Sequence, residues 1–377
     1  MVSVWVYGAR DAQTRSGAPF YFYQHLAAVA ERYPTVRVRP IPVLRAPETP
    51  SAALRWVLET GRTDFSEFLL SRAFHNASFA RMNPPVQPGD SVVSFCQILP
   101  DALLDRDDIH RYHYFDVTLT QYFDQFLSLS RYPPVRRREI LVDELQTYKR
   151  ARGFFTYLDE TKNALAETYG VPAAHIDVIG RGANLSPRDC RRTRVALDDR
   201  LRLMCVGRDA LRKGADLVID AIDALPPAHR DRIVLTLAGP RQSDVPRRSF
   251  VECVGFMGPS RRGALLDLMA SADIGVLLSR ADALPASLFE FLTLGVPIWA
   301  TALPGLQQTL AGYPAFFEPL PVEIGHLRSR LLSWAERPNL VRAVAPLTME
   351  ARERLSWTSR ARHVLTRVLS DIGMGHT

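Results

Sequence analysis

The sequence predicts an α/β protein made of two doubly wound parallel-sheet domains. Three observations carry this: short apolar runs alternate with helical patterns along the chain, glycine-containing loops follow several of those runs, and a polar, Arg-rich stretch at 186–199 separates two such series. At 377 residues the chain is long enough for each domain to bury its own core.

The elements follow in order. VSVWVYGA (2–9) reads as a buried strand ending in Gly8, a helical pattern runs from about Phe20 to Arg32, and VRVRPIPV (36–43) is the next strand, which completes a βαβ unit. SVVSFCQIL (91–99), introduced by the turn PPVQPGD, HRYHYFDV (110–117) and FFTYLD (154–159) continue the strand series, and ETKNALAETYG (160–170) is a helix. HIDVIGRGANL (175–185) is a strand running into a glycine loop. The second series comprises LRLMCVG (201–207), a loop and helix in ALRKGADLVIDAIDAL (210–225), RIVLTLAG (232–239), VECVGFMG (251–258), a helix in RRGALLDLMASA (261–272), IGVLLS (274–279), a further helix, VPIWAT (296–301) and PAFFEP (314–319). RERLSWTSRARHVLTRVL (352–369) reads as one amphipathic helix whose stripe of Leu355, Val364, Leu365 and Val368 needs a surface to cover. The domain boundary falls between about Ile176 and Leu201. The expected division is 1–180 and 181–349, with the helix of 350–377 returning to the first domain.

Composition excludes several classes. A hydrophobic share of 47% and a charged share of 23% are those of an ordinary soluble protein. MVSVWVYGAR is too soon interrupted by charge to read as a signal peptide, and no apolar run reaches the ~20 residues that span a bilayer. Cys96, Cys190, Cys205 and Cys253 are far apart without a CxxC pair, which favours a reducing compartment over a disulfide framework or zinc site, so a cytoplasmic location is expected. The net charge of +7 favours anionic partners. The basic runs (Arg136 to Arg138; Arg191, Arg192 and Arg194) are scattered and read first as solvated faces. They lack the aromatic interleaving of a nucleic-acid surface, although those of the first domain are compatible with peripheral contact at the inner face of an anionic membrane. Only three of the 47 basic residues are lysines, and Lys213 is one of them.

In open α/β sheets ligands bind beyond the carboxyl ends of the strands. There, in VGRDALRKG (206–214), Gly207 and Arg208 leave a strand and Lys213 precedes a helix, where two flexible cations could clamp a diphosphate. The macrodipole disfavours cations at a helix start, which argues against an ordinary surface pair. Gly239 in LAGP and the GFMG turn around Phe256 permit close backbone approach to a base or phosphate, or are simply tight turns. In SRADALPASLFEFLTLGVPIWA (279–300), Ser287 and Glu290 have capping-box spacing, Gly295 ends the helix and Pro297 prevents its continuation. That pattern leaves Asp282 without a role, as it does the backbone of Ala283, Leu284, Pro285, Ala286 and Ser287, which forms an anion site if it opens a helix.

The order GR-x4-KG, LAG, V-x-F/G turn, acid-x7-Glu and G-x-P resembles the donor domain of the retaining, family 4 type glycosyltransferases of GT-B fold (glycosyl transferases group 1). YGVPAAHIDVIGRGANL (169–185), the SW-containing segment 355–365 and the D-x-T strand end in YFDVTL (114–119) extend it, and the first half matches more loosely. The resemblance implies two Rossmann-like domains facing across a cleft. It implies transfer from a nucleotide-diphosphate-sugar to a saccharide, lipid-linked or small-molecule acceptor hydroxyl, with retention and without metal or other cofactor. Arg208 and Lys213 would bind the diphosphate and stabilise the leaving group, and Glu290 would hold the ribose. The 283–287 backbone, with Leu288 beside it, would meet sugar and distal phosphate. Asp282 stands where the family usually has glutamate and would contact the sugar. Ser16 and Gly17 would lie near phosphates or acceptor. On the acceptor side both His113 and Asp116 are candidates. The ordinary reading of His113 is a satisfied strand histidine, that of Asp116 a strand-end support for the next turn, and D-x-T favours Asp116. Alternatives are a nucleotide-sugar 2-epimerase of the same fold, a degenerate non-catalytic scaffold, and an anionic-surface or nucleic-acid binder; oligomeric state is left open.

Overall fold

The computed structural model describes residues 1–9, 17–44, 49–61, 65–125, 132–189, 199–313, 317–320 and 323–374. It divides into two compact units, Met1–Gly182 with Trp357–Thr377, and Ala183–Ser356. Ser16, Cys190 and the Arg191, Arg192 and Arg194 cluster lie outside the described residues.

In the first unit β1 (Val2–Tyr7), β2 (Val36–Ile41), β3 (Ser91–Ser94), β4 (His110–Phe115), β5 (Gly153–Thr156) and β6 (Ile176–Val178) form a parallel sheet in the order β2-β1-β3-β4-β5-β6. β3 stops five residues before the expected run ends, because the Ser94 hydroxyl donates to the Cys96 carbonyl at 2.8 Å and accepts from the Cys96 amide at 3.0 Å, closing a local turn. In the second unit β7 (Leu201–Val206), β8 (Ile233–Ala238), β9 (Val251–Gly255), β10 (Ile274–Leu277), β11 (Ile298–Thr301) and β12 (Phe317–Leu320) are also parallel, in the order β12-β11-β10-β7-β8-β9. Each unit is thus a doubly wound Rossmann-like domain. In the second sheet the order reverses at the β7/β10 pair, in register Ile274 to Leu203 and Val276 to Cys205.

Strands buried on both faces explain the continuous apolar runs seen in the sequence. Leu203, Leu235, Val276 and Trp299 of the second sheet pack with Ile219, Leu331 and Trp334 of its helices, and the Trp299 and Trp334 rings meet edge-on at 5.2 Å.

Two expectations change. The tail is two helices, Met349–Arg354 and Trp357–Asp371, interrupted where the Ser356 hydroxyl caps the Glu353 carbonyl at 2.6 Å; the stripe residues are all buried, Leu355 in the second unit and Val364, Leu365 and Val368 in the first. Arg136 is not on a solvated face. It is buried, paired with Glu139 at 3.0 Å and Glu67 at 3.4 Å, with its guanidinium over the Trp56 ring. Among the described residues no helix is long and apolar enough to cross a membrane.

Glu144, wholly buried in the helix Pro134–Lys149, ties three segments of the first unit together. It accepts from the Leu119 amide at 2.7 Å, the Tyr148 hydroxyl at 2.7 Å and the Tyr169 hydroxyl. Burial raises its pKa to about 7, against which these three donors act. A carboxyl raised in the fold is neutral and stabilising below its unfolded value near 4.5, and that stability is lost as the pH climbs through about 7. Buried neutral His75 and His113, lowered to about 4 and about 3, add stability over the same range, so the Glu144 contribution is read as a difference: between pH 5 and pH 8 the wild type should lose on the order of 3 kcal/mol of urea-unfolding stability relative to Glu144→Gln. An equal pH dependence in the variant would contradict this role.

Candidate functional site

The loops that follow β7 and β10 leave adjacent strands at the reversal of the second sheet, so residues 207–214 and 279–285 must meet. Gly214 determines how closely. It has φ of +73°, and a Cβ there would lie 2.0 Å from the Leu278 carbonyl oxygen. The Lys213 side chain, only 8% exposed, reaches across to Asp282 Oδ2. The same oxygen accepts from Ser279 Oγ at 3.1 Å and faces Arg212 Nη1 at 3.3 Å. Beneath them the Cys205 thiol is pushed up to about 11, chiefly by burial; Lys213 acts against that rise.

Gly239 makes a second close approach. Its φ is +126°, and a Cβ would come within 2.4 Å of the Gly207 carbonyl oxygen and 2.9 Å of the Arg208 nitrogen. LAGP is therefore a packing device that lets three strand ends lie level: Gly207 donates to Ala238 and Gly239 to Gly255. On this shelf Arg208 and Phe256 are both exposed, with the guanidinium carbon 4.1 Å from the ring centroid, a cation–π contact.

The helix Ala286–Leu294 corrects the capping-box reading. Its N-cap is Pro285, with no side-chain cap hydrogen bond, so Ser287 is the second helical residue. Glu290 does not turn back to the helix start. It is 3% exposed and accepts from Arg262 Nη2 at 2.5 Å, while that nitrogen also donates to the Asn184 carbonyl at 3.2 Å. Arg262 was missed, and no local pattern marks it: it opens another helix, Arg262–Ser271, 28 positions away. Arg212 and Ser279 were missed as well, although Arg212 adjoins Lys213 and Ser279 opens the segment that holds Asp282. Gly295 ends the helix with φ of +74°, as its sequence position requires. Ala283, Leu284, Pro285 and Leu288 are buried beneath the helix start.

In the first unit Gly17 is the N-cap of the helix Ala18–Ala30. Asp116 follows β4, half-buried, its Oδ1 accepting from the Val117 amide at 3.0 Å and its backbone carbonyl accepting from Thr161. Next to it, beyond β5 and β6, come Tyr157 and Arg181, whose guanidinium lies 6.0 Å from the Tyr157 ring centroid and 5.9 Å from that of Trp357. Neither stood out in the sequence. His113 lies three residues earlier, inside β4, and is fully buried: Nδ1 bonds the Cys96 carbonyl at 3.1 Å, the ring stacks on Phe154 at 5.6 Å, and burial above all lowers its pKa to about 3. It is a neutral core histidine with no surface to offer a substrate. Among the described residues no group of three or more His, Cys, Asp or Glu side chains could hold a metal ion.

Residues 189–319 match the family model described as Glycosyl transferases group 1. A D-inositol 3-phosphate glycosyltransferase of Gordonia bronchialis is 26% identical over 194 residues, covering 46% of this chain and 42% of its own. The lipopolysaccharide glucosyltransferase WaaG of Escherichia coli is 32% identical over 115 residues, covering 29% and 30%. The matched stretches thus span less than half the length of either relative. A crystal structure of WaaG aligns over 96% of this chain and 94% of its own with a TM-score of 0.60 at 18% identity. Anabaena HepE, crystallised with UDP and glucose, aligns over 98% and 99% with a TM-score of 0.57 at 15% identity. The two doubly wound domains are those of the GT-B fold.

Gly214→Ala should destabilise the second unit by about 3 kcal/mol or more, because the new Cβ overlaps a backbone carbonyl and the backbone is left-handed. Urea titration measures it, and a loss under 1 kcal/mol would mean that the two loops can separate freely.

Proposed function

We propose that this chain is a nucleotide-sugar-dependent glycosyltransferase that moves a sugar to an acceptor hydroxyl with retention and without a metal ion. One observation carries the reading: Arg208, Lys213 and the start of the Glu290-bearing helix all lie at the carboxyl end of one parallel sheet, around its point of reversal. The match of 189–319 to a glycosyltransferase family model falls on the same loops.

In this reading a nucleoside diphosphate leaves as the glycosidic bond breaks, and its negative charge grows on the β-phosphate. Arg208 offers a planar fork to the phosphates and Lys213 a point charge, while the backbone amides at the start of Ala286–Leu294 supply fixed dipoles. All three stabilise charge that develops in the transition state. Glu290, aligned by Arg262, accepts hydrogen bonds from the ribose hydroxyls. Phe256 keeps Arg208 extended over the shelf. We assign the acceptor-side role to Asp116, which retains a half-exposed carboxylate at its strand end. The acceptor hydroxyl attacks the face from which the diphosphate departs, so the anomeric configuration is kept. The donor is a UDP-, GDP-, ADP- or dTDP-sugar, and the acceptor a saccharide, a lipid-linked saccharide or a small-molecule hydroxyl.

Thermal-shift screening against these four classes of donor should identify one that raises the unfolding temperature. With that donor, Lys213→Ala should lower nucleoside diphosphate release about a hundredfold or more, and Glu290→Gln should weaken donor binding about tenfold. Unaltered kinetics in both folded variants would remove the site assignment.

A further inference from the structure

Asp282 occupies the place where a sugar-contacting carboxylate is expected, yet its partners are cations of its own chain. Oδ2 takes Lys213 Nζ, Arg212 Nη1 at 3.3 Å and Ser279 Oγ at 3.1 Å, and the side chain is 13% exposed. The loop is fixed from below, because Thr301 Oγ1 donates to the Ser279 carbonyl at 2.9 Å. Aspartate is shorter than glutamate by one methylene, about 1.5 Å of reach, which keeps its carboxylate over its own loop.

Resting on the donor-site reading above, we propose that Asp282 is a positioning residue acting through Lys213: an internal stand-in for the donor diphosphate. It holds the ammonium when no phosphate is bound, yields it to the diphosphate, and recaptures it as the nucleoside diphosphate leaves. An ammonium on a side chain only 8% exposed needs an anion beside it, and only one anionic group can fill that place well. Arg212 makes the exchange feasible. Its Nη1 also donates to the Ala281 carbonyl at 2.8 Å, its backbone amide to Asp209 Oδ1 at 3.0 Å, and its Nε lies 3.7 Å from Asp209 Oδ2. It therefore stays beside Asp282 when Lys213 turns away, and the carboxylate keeps a counter-ion throughout. Arg280, the other cation of this loop, is engaged by both carboxylate oxygens of Asp216 at 2.6 and 2.8 Å and is not needed. No proton moves in the exchange.

A sugar-contacting Asp282 and a diphosphate stand-in respond oppositely to removal of the charge. Calorimetric titration of UDP, GDP, ADP and dTDP, each alone and as its glucose conjugate, should be made on the wild type, Asp282→Asn, Arg212→Gln and the Asp282→Asn/Lys213→Ala double variant. In Asp282→Asn the ammonium has no competitor for the phosphate. The bound nucleoside diphosphate should therefore tighten about tenfold, equally with and without glucose attached, and the double variant should lose the gain. Arg212→Gln should weaken it about threefold, since Asp282 then depends on Lys213 alone. If Asp282→Asn leaves the free nucleoside diphosphates unchanged and weakens only the glucose conjugates, Asp282 is a sugar contact and the proposal is overturned. Should that variant not fold, Arg212→Gln decides alone, and unchanged affinity there overturns it. A wild type that binds none of the eight compounds removes the donor-site reading itself, and this inference with it.

Discussion

Strands β7 and β10 lie side by side although two strands separate them in the chain, and the geometry of the candidate site depends on that pairing. The right-handed crossovers of a doubly wound sheet send the chain outward on one side of β7 and then return it to the other, so the loops after β7 and β10 leave the sheet next to each other. Lys213 and Asp282 become partners at 69 positions' separation for this reason alone. Gly214 and Gly239 then remove the side chains that would hold the loops apart, at Leu278 on one side and Gly207 on the other.

The two acidic side chains of the segment 279–300 have different electrostatic surroundings. Glu290 is aligned by one arginine, Arg262, whose nitrogen is shared with a backbone carbonyl. Asp282 meets two cations and a hydroxyl. Charge where the two loops meet is thus closely balanced, with Arg212 and Lys213 set against Asp209 and Asp282. Arg208 stands apart from these ion pairs, extended on Phe256 at the exposed edge. Of the two cations, Arg208 is exposed and Lys213 is buried against Asp282.

Much of the fold was legible because buried parallel strands write themselves as unbroken apolar runs, and because glycines end them. Leu201–Val206, Ile233–Ala238 and Ile274–Leu277 all fell within the runs that announced them. The errors have a common cause: local spacing was given a local meaning. Ser287 and Glu290 have the separation of a capping box, but Pro285 takes the N-cap and a long-range arginine claims the glutamate. The amphipathic tail reads as one helix, yet it breaks at Leu355 and Ser356, where the Ser356 hydroxyl bonds the Glu353 carbonyl and Ala183 pairs with the chain, and its parts belong to different units. Arg136 belongs to a basic run and is nevertheless buried, because Glu67, far away in sequence, neutralises it. Such pairings are set by topology and leave no periodic trace. His113 was recognisable as a strand residue; only the packing of Phe154, Tyr148 and Phe115 around it shows that its strand face is core.

The central claim is that the loops at the β7/β10 reversal, with the helix start beside them, bind a nucleoside diphosphate. Hydrogen–deuterium exchange measured with and without saturating UDP, GDP, ADP or dTDP tests it directly, since it reads backbone amides segment by segment. The account requires one of the four to slow exchange across 206–214 and 279–290, together with the Phe256 turn. Saturable binding that protects other segments and leaves these three unchanged would contradict it.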